Sequence, residues 1–168
     1  MAGVRPQLQR YRMQADGAEG DCYRTCLAMV LDLDRDEVPH FCADVPPGTA
    51  VTDPLHIESV RIEREWLAAR GLALVNVAFS PELKAQEIAD QLHNHSPSVA
   101  AILVCSYKGV NHALAMYGGV IYDPLGDLAH DSYEPAIDGL WWMIVPTLAT
   151  KPLPSEATPA SVASAQED

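Results

Sequence analysis

The first regular pattern of apolar and polar positions lies in the stretch DCYRTCLAMVLDL, which begins at Asp21. Its apolar residues recur three or four positions apart, which is the spacing of one face of an α-helix. They are Cys22, Cys26, Met29, Val30 and Leu33. Aspartate in front of such a pattern is a residue type that caps helix N-termini with its side chain. The pattern therefore predicts a helix that begins at Cys22 and buries this face.

Two further helices are predicted in the middle of the chain. One runs from about Pro54 to Arg70, with Gly71 placed to cap its C-terminal end. Its expected apolar stripe consists of Leu55, Ile62, Trp66 and Ala69. The other opens at SPEL, with Ser80 as N-cap and Pro81 at the first helical position. Its expected stripe consists of Ala85, Ile88, Ala89 and Leu92.

The remaining apolar segments have the pattern of strands. LALVNVAF follows the second helix, and VAAILVCSY is a continuous apolar run of the kind found in a central strand. NHALAMY and VIYD flank Gly118-Gly119, which is a two-residue hairpin signal, and LWWMIVP is the last expected strand. Helices come first and mostly antiparallel strands follow, so the predicted fold class is α+β, with N-terminal helices packed on the sheet.

Chain length and composition fit one domain with flexible ends. The 168 residues, 48% of them hydrophobic, are enough for a single core. Residues 1–20 are expected to form an extended lead-in, and residues 21–149 the domain. From residue 150 onward the chain is rich in Pro, Ser, Ala, Thr and acidic residues, and this composition predicts a disordered tail.

A formal net charge of -12 argues against DNA, RNA and anionic membranes as partners, because an excess of acid repels phosphate. The sequence shows neither an apolar run long enough to cross a bilayer nor a secretory signal, so a cytoplasmic protein is expected. In that reducing compartment the cysteines are expected as thiols or metal ligands rather than disulfides. They are Cys22, Cys26, Cys42 and Cys105.

Three residues have the types and the placement that thiol catalysis requires. Cys22 begins a predicted helix, whose N-terminal N–H groups favour a thiolate. If Gly118-Gly119 is a two-residue turn, Leu114 faces Asp123, and His112 then projects from the same face as a diagonal neighbour of that aspartate. Their Cβ atoms would lie roughly 7 Å apart, within reach of an imidazole–carboxylate hydrogen bond. The pattern predicts Cys22 as nucleophile, His112 as base and Asp123 as the group that orients the base.

The segments GDCYRTCLAMVL, NHALAMY and IYDP resemble the papain-like cysteine peptidases that cut double-glycine leader peptides from bacteriocins, together with their small uncharacterised bacterial and phage relatives. In that family an Asp-Cys pair opens the central helix, a His begins a strand and an Asp-Pro ends the next strand. Asp21-Cys22, His112 and Asp123-Pro124 match these motifs in order. The resemblance implies a papain-like fold, hydrolysis of a peptide or protein substrate, and no cofactor.

The chain departs from the family pattern at two positions. Tyr23 follows the nucleophile where the family has Gly. The family's oxyanion-hole Gln lies about six residues before the Cys, whereas the candidate here, Gln14, lies eight before Cys22. If a bulge brings Gln14 into place, its amide would join the Cys22 N–H in binding a developing oxyanion. These departures leave open an inactive papain-like binding or inhibitor protein, and the same chemistry also serves acyl transfer.

A zinc site is the other chemistry that the cysteines suggest. The candidate ligands are Cys22, Cys26, His40 and Cys42. Two cysteines at i and i+4 followed by His-x-Cys is not a common zinc spacing, so no metal is predicted.

Overall fold

The computed structural model describes residues 4–10, 20–46, 49–126 and 133–149. Its helices are α1 (Cys22–Leu31), α2 (Pro54–Ala68) and α3 (Ala85–His95), with a short 3₁₀ turn at Arg35–Glu37. Its strands are β1 (Leu72–Phe79), β2 (Ala101–Tyr107), β3 (Val110–Tyr117), β4 (Val120–Tyr122), β5 (Tyr133–Pro135) and β6 (Trp141–Leu148). The tail from residue 150 lies outside the described residues. None of the helices in these ranges is long and apolar enough to cross a membrane.

The strands form one antiparallel sheet in the order β1-β6-β2-β3-β4, and the short β5 pairs with β2 beyond the end of the β6 pairing. Strand β2 has partners on both sides. This explains why its sequence is a continuous apolar run rather than an alternating one. The predicted α+β class, with an antiparallel sheet, is confirmed. Strand β5 was not predicted, because three residues carry too little periodic signal.

Two apolar clusters lie on the two faces of the sheet. Alternate residues of β2 and β3 point to opposite sides, so Leu103 and Leu114 join the cluster that contains α3, while Ile102 and Ala113 join the one that contains α1. The α1 cluster contains four completely or almost completely buried helix residues, Cys26, Leu27, Ala28 and Met29. This packing fixes the position of the N-terminal end of α1 relative to β3.

The β3–β4 hairpin has the predicted register. Gly118 and Gly119 have φ angles of 62° and 79°, which glycine adopts without steric cost. Tyr117 pairs with Val120 and Ala115 with Tyr122. A two-residue turn with two positive φ angles matches the right-handed twist of the flanking strands. The predicted turn is therefore confirmed.

Helix α1 begins at Cys22 as predicted, but Asp21 does not cap it with its side chain. The carboxylate of Asp21 is completely buried and accepts a hydrogen bond from the backbone N–H of Arg10 at 3.2 Å. The Arg35 guanidinium lies 3.8 Å from the same carboxylate oxygen. A buried carboxylate requires such partners. Asp21 therefore ties the lead-in to the start of the helix instead of capping α1.

Helix α2 has nearly the predicted bounds, but the predicted apolar stripe is only partly right: Trp66 packs against the α1 cluster, whereas Leu55, Ile62 and Ala69 are exposed. Leu55 and Ile62 are 50% and 40% exposed, whereas Ser59 and Leu67 are buried. The inward face of the helix makes two specific contacts. The Tyr23 hydroxyl donates to Glu63 at 2.6 Å, and Trp66 packs edge-on against Phe41.

Helix α3 begins later than predicted. Its N-cap is Lys84, and residues 80–83 form a turn in which the Ser80 hydroxyl accepts a hydrogen bond from the Glu82 N–H at 3.3 Å. Serine satisfies local backbone donors in turns as readily as at helix starts, so the SPEL signal does not distinguish the two. The buried stripe is as predicted for Ala85, Ile88 and Ala89.

Residues 4–10 run along the domain and bond to it. The Gln9 N–H donates to the Pro124 carbonyl at 2.8 Å, and the Gln7 amide donates to the Leu33 carbonyl at 2.7 Å. The segment thus connects the loop after β4 with the loop after α1. These bonds anchor part of the lead-in to the domain.

Candidate active site

Cys22 is the first residue of α1 and is partly exposed. The first hydrogen bond of the helical series runs from the Thr25 N–H to the Asp21 carbonyl at 2.9 Å. The N–H groups of Cys22, Tyr23 and Arg24 therefore have no intrahelical acceptor. Their partial positive charge favours an anion at this end of the helix, whether a thiolate or the oxygen of a reaction intermediate.

His112 is the third residue of β3, lies opposite Cys105 and is 6% exposed. Its Nε2 atom lies 3.0 Å from Oδ1 of Asp123, as the hairpin register predicted. The Cys22 thiol lines the same groove as His112 and lies close enough to the imidazole to raise its pKa. Because Nε2 faces Asp123, Nδ1 is the ring nitrogen left for the thiol. The structure therefore brings together the three residues that the sequence nominated.

The charge state of His112 follows from these contacts. Burial by itself lowers the pKa of His112, but the hydrogen bonds to Asp123 and Cys22 outweigh burial and raise the pKa to about 9. The ring is thus an imidazolium at neutral pH. A cation in hydrogen-bond contact with a thiol favours the thiolate.

The Asp123 side chain is 2% exposed and satisfied on both oxygens. Oδ1 faces His112 and also accepts the Leu125 N–H at 2.7 Å, while Oδ2 accepts the hydroxyl of Tyr133. Burial alone would raise the pKa of Asp123, but the hydrogen bonds from His112, Tyr133 and Leu125 lower it below the ordinary value of 3.8. Asp123 is therefore ionised at neutral pH, where His112 is charged.

Tyr133 is the residue of this site that sequence reasoning missed. It lies on β5, next to a stretch that the structure does not describe, and it pairs with Tyr107 of β2. Its ring stacks on the His112 imidazole with centroids 6.1 Å apart and planes 21° apart. No motif in the sequence marks Tyr133, because only the pairing of β5 with β2 brings it to His112.

The other cysteines have different surroundings. The four cysteines form no disulfide, as predicted. Cys26 and Cys105 are completely buried, and burial raises the pKa of both thiols, with the nearby Cys22 and Asp123 adding to the effect. Cys42 is partly exposed and lines the same groove as Cys22. In the described ranges no group of three or more Cys, His, Asp and Glu side chains is arranged to hold a metal ion.

An open groove of about 200 Å³ lies beside Cys22 and His112. Its walls are largely apolar, from Tyr23, Phe41, Val104 and Ala113, and its polar lining includes Asn111, His40 and Arg24. Mostly apolar clefts with a few polar groups are the usual form of a small-ligand or side-chain site. The groove is therefore shaped to hold an apolar group next to the thiol.

Of the two positions at which the chain departs from the family pattern, the structure describes Tyr23 but not Gln14. Gln14 lies outside the described residues, so its predicted place beside the oxyanion remains a prediction. Tyr23 lines the groove and donates its hydroxyl to Glu63. Burial raises the pKa of Glu63, despite the opposing effect of the Tyr23 hydrogen bond.

No family model, no curated protein and no solved structure matches the chain.

Proposed function

We propose that this protein is a thiol-dependent hydrolase of amide, peptide or isopeptide bonds, in which Cys22, His112 and Asp123 form a papain-like triad. The observation that carries the proposal is a thiol at the N-terminal end of a buried helix, beside an imidazole that is hydrogen-bonded to a carboxylate. Each element of thiol catalysis is then present: a nucleophile, a base beside it and a group that holds the base. A papain-like fold is proposed on the same grounds, since α1 packs on an antiparallel sheet.

The proposed reaction begins with the Cys22 thiolate, whose proton resides on His112. The sulfur attacks the carbonyl carbon and a C–S bond forms, while the Cys22 N–H donates to the developing oxyanion. The imidazolium gives its proton to the leaving nitrogen as the C–N bond breaks. Water then attacks the thioester, His112 accepts a proton from the water, and the C–S bond breaks to release the carboxylic acid. Asp123 keeps the Nε2 proton of the ring in place throughout.

The groove favours a substrate with an apolar side chain near the scissile bond, because its walls are formed largely by Tyr23, Phe41, Val104 and Ala113. A groove that holds one apolar side chain next to the thiol supports a peptide or protein substrate. Acyl transfer uses the same steps with an amine in place of water. A primary amine added to the assay separates the two reactions, because mass spectrometry distinguishes the acid formed by hydrolysis from the amide formed by acyl transfer.

The test is a panel of peptide vinyl sulfones with different apolar residues, followed by mass mapping of the labelled site. We expect a covalent adduct on Cys22 at pH 6.5, and no adduct in the Cys22→Ala variant. Cys42→Ala is the matched control, because Cys42 lines the same groove and its loss should leave labelling intact. Labelling of Cys42 at the same rate as Cys22 in the folded protein would contradict the proposal.

A binding protein without turnover is the second candidate, and Tyr23 is the observation that favours it. A bulky side chain lines the groove directly after the nucleophile, where the resembling family has Gly. The Tyr23→Gly variant separates the two functions. If a peptide is cleaved only by Tyr23→Gly, and the native protein binds the same peptide intact, the chain is a binder built on a peptidase-like site.

A further inference from the structure

The pairing of β5 with β2 brings an additional side chain to the site. Tyr133 lies opposite Tyr107, two positions along β2 from Cys105, which pairs with His112 on β3. Residues that are opposite each other, or two apart along a strand, project from one face of a sheet. Tyr133 and His112 therefore share a face across the width of β2.

The Tyr133 hydroxyl completes the hydrogen bonding of a buried carboxylate. Asp123 uses Oδ1 for His112 and the Leu125 N–H, and the hydroxyl of Tyr133 occupies Oδ2. A buried carboxylate oxygen without a donor is costly. Without this hydroxyl the carboxylate would keep its Oδ1 bonds but lose the contact that fixes its rotation about the Cβ–Cγ bond. The hydroxyl thus controls the direction in which Oδ1 faces His112.

The aromatic rings of Tyr133 and Tyr107 confine the imidazole. The Tyr133 ring lies nearly parallel to the His112 ring, with centroids 6.1 Å apart. The Tyr107 ring is tilted by 49° to His112 at 6.2 Å and contacts Tyr133 at 5.7 Å. Both tyrosines limit rotation of the imidazole, but of the two only Tyr133 has a hydrogen bond to Asp123 among the described contacts.

We propose that Tyr133 is a positioning residue of this site: its hydroxyl fixes the second oxygen of Asp123, and its ring fixes the plane of the His112 imidazole. Its contribution to catalysis rests on the proposed function, whereas its coupling to Asp123 does not. A hydrogen bond to the charged form of a carboxyl favours that form. Tyr133 therefore keeps Asp123 ionised to lower pH, and Asp123 in turn raises the pKa of the Tyr133 phenol, with burial as the first cause of that rise.

Several titratable groups surround the His112 imidazole and the Tyr133–Asp123 pair. Those around the imidazole are Cys22 on α1, Cys105 and Tyr107 on β2, Asp123 after β4 and Tyr133 on β5. His40 and Cys42 line the groove alongside them, and Cys26 lies within electrostatic range of Asp123. Of these groups, Tyr133 and His112 donate side-chain hydrogen bonds to Asp123. Removal of the Tyr133 hydroxyl therefore takes one hydrogen bond from Asp123, whereas removal of the Tyr107 hydroxyl takes none.

The test compares Tyr133→Phe with Tyr107→Phe, since each removes one hydroxyl from a ring beside His112. The primary measurement is the ¹³C titration of the Asp123 carboxyl, assigned with Asp123→Asn. We expect Tyr133→Phe to raise the titration midpoint of Asp123 by roughly one pH unit, the effect of losing one hydrogen bond to a charged group. Tyr107→Phe should leave it unchanged. An unshifted midpoint in folded Tyr133→Phe would overturn the proposal.

Two further measurements separate this proposal from the proposed function. If Tyr133→Phe does not fold, the ¹³Cζ chemical shift of Tyr133 at neutral pH tests the same coupling from the other side, because this shift reports the hydrogen bond of the phenol, and Asp123→Asn should change it. An unchanged shift would refute the coupling. The rate of Cys22 alkylation at pH 6.5 should fall about threefold in Tyr133→Phe. A native Cys22 that is unreactive overturns the proposed function but not the Tyr133–Asp123 coupling, which the NMR measurements decide alone.

Discussion

The first and second turns of α1 each carry a cysteine, and the two thiols lie in opposite environments. Cys22 is partly exposed at the helix N-terminus, borders a groove and lies beside the His112 imidazole. Cys26, four residues later, is completely buried in the apolar cluster between helix and sheet, and burial raises its pKa far above the usual value. One helix thus holds both a candidate nucleophile and an inert packing group.

The difference shows that chemistry at a cysteine depends on its neighbours rather than on its helix. Both thiols recur on the same predicted face, and no propensity distinguishes them. At the helix start, unsatisfied N–H groups and an imidazolium favour an anion, whereas one turn later apolar packing disfavours one. The predictions below test this contrast.

The largest effect is expected in the pH dependence of the free energy of unfolding, because this dependence follows the charge of His112. The pKa of His112 is raised to about 9 in the folded protein, against an ordinary value of 6.5. Its stabilising contribution is therefore complete below pH 6.5 and is lost as pH rises through 9, amounting to about 3 kcal/mol at most. Urea unfolding of native protein and His112→Gln should show a stability difference that shrinks across this window. A constant difference would contradict a charged ring.

The second effect is selective alkylation of the first-turn thiol. The thiolate is the reactive form of cysteine and an ordinary thiol is about 1% ionised at pH 6.5, so a helix-start thiol beside an imidazole is expected to react up to about a hundredfold faster. Iodoacetamide at pH 6.5 should label Cys22 and spare Cys26 and Cys105. Mass mapping of the labelled peptides measures the ratio. Equal labelling of all the cysteines in the folded protein would contradict the predicted difference in reactivity between Cys22 and the buried thiols.

Removal of the imidazole should abolish most of this selectivity. The His112→Ala variant is expected to slow Cys22 alkylation at neutral pH by at least about tenfold, because the cation that favours the thiolate is lost. His95→Ala is the matched control, since His95 lies exposed in the last turn of α3. Both variants should be assayed well below their melting temperatures, so that each is folded. Unchanged reactivity of Cys22 in folded His112→Ala would leave the binding function as the better account.

A smaller effect in the same direction is expected for Asp123→Asn. The imidazole remains, but its Nε2 atom loses a charged partner at 3.0 Å, so the ring is less well oriented and less basic. We expect the alkylation rate of Cys22 to fall about fourfold. The fall should be largest between the lowered pKa of the imidazole in the variant and about 9, where the native ring is charged and the ring of the variant is neutral. A loss as large as that of His112→Ala would mean that Asp123 acts as more than an orienting group.

The smallest effect on reactivity is expected at the second turn. Cys26→Ala removes a buried sulfur from the core and should lower the free energy of unfolding by about 1 kcal/mol. Because Cys26 takes no part in the hydrogen bonds of the site, the Cys22 alkylation rate should be unchanged. Thermal unfolding and the alkylation assay measure the two quantities separately. A large change in Cys22 reactivity would show that the two turns are coupled.

The sequence by itself determined the elements whose signals are local. The start of α1, the central strand and the Gly118-Gly119 turn were predicted, because helix periodicity, a continuous apolar run and glycine pairs act over a few residues. The turn was enough to place His112 beside Asp123, since the pleat fixes which residues share a face. Where local signals are ambiguous they failed, as at Ser80, whose hydroxyl serves a turn rather than a helix start.

Tertiary structure alone decided which distant residues meet. The packing of α1 on the sheet brings Cys22 to a histidine 90 positions later in the chain, and the Tyr23–Glu63 bond joins α1 to α2. The pairing of β5 with β2 brings Tyr133 to Asp123 and His112. Such contacts depend on how whole faces fit together, which periodicity along the chain does not encode. The sequence therefore nominated the thiol, the imidazole and the carboxylate, and the fold supplied the tyrosine that holds two of them.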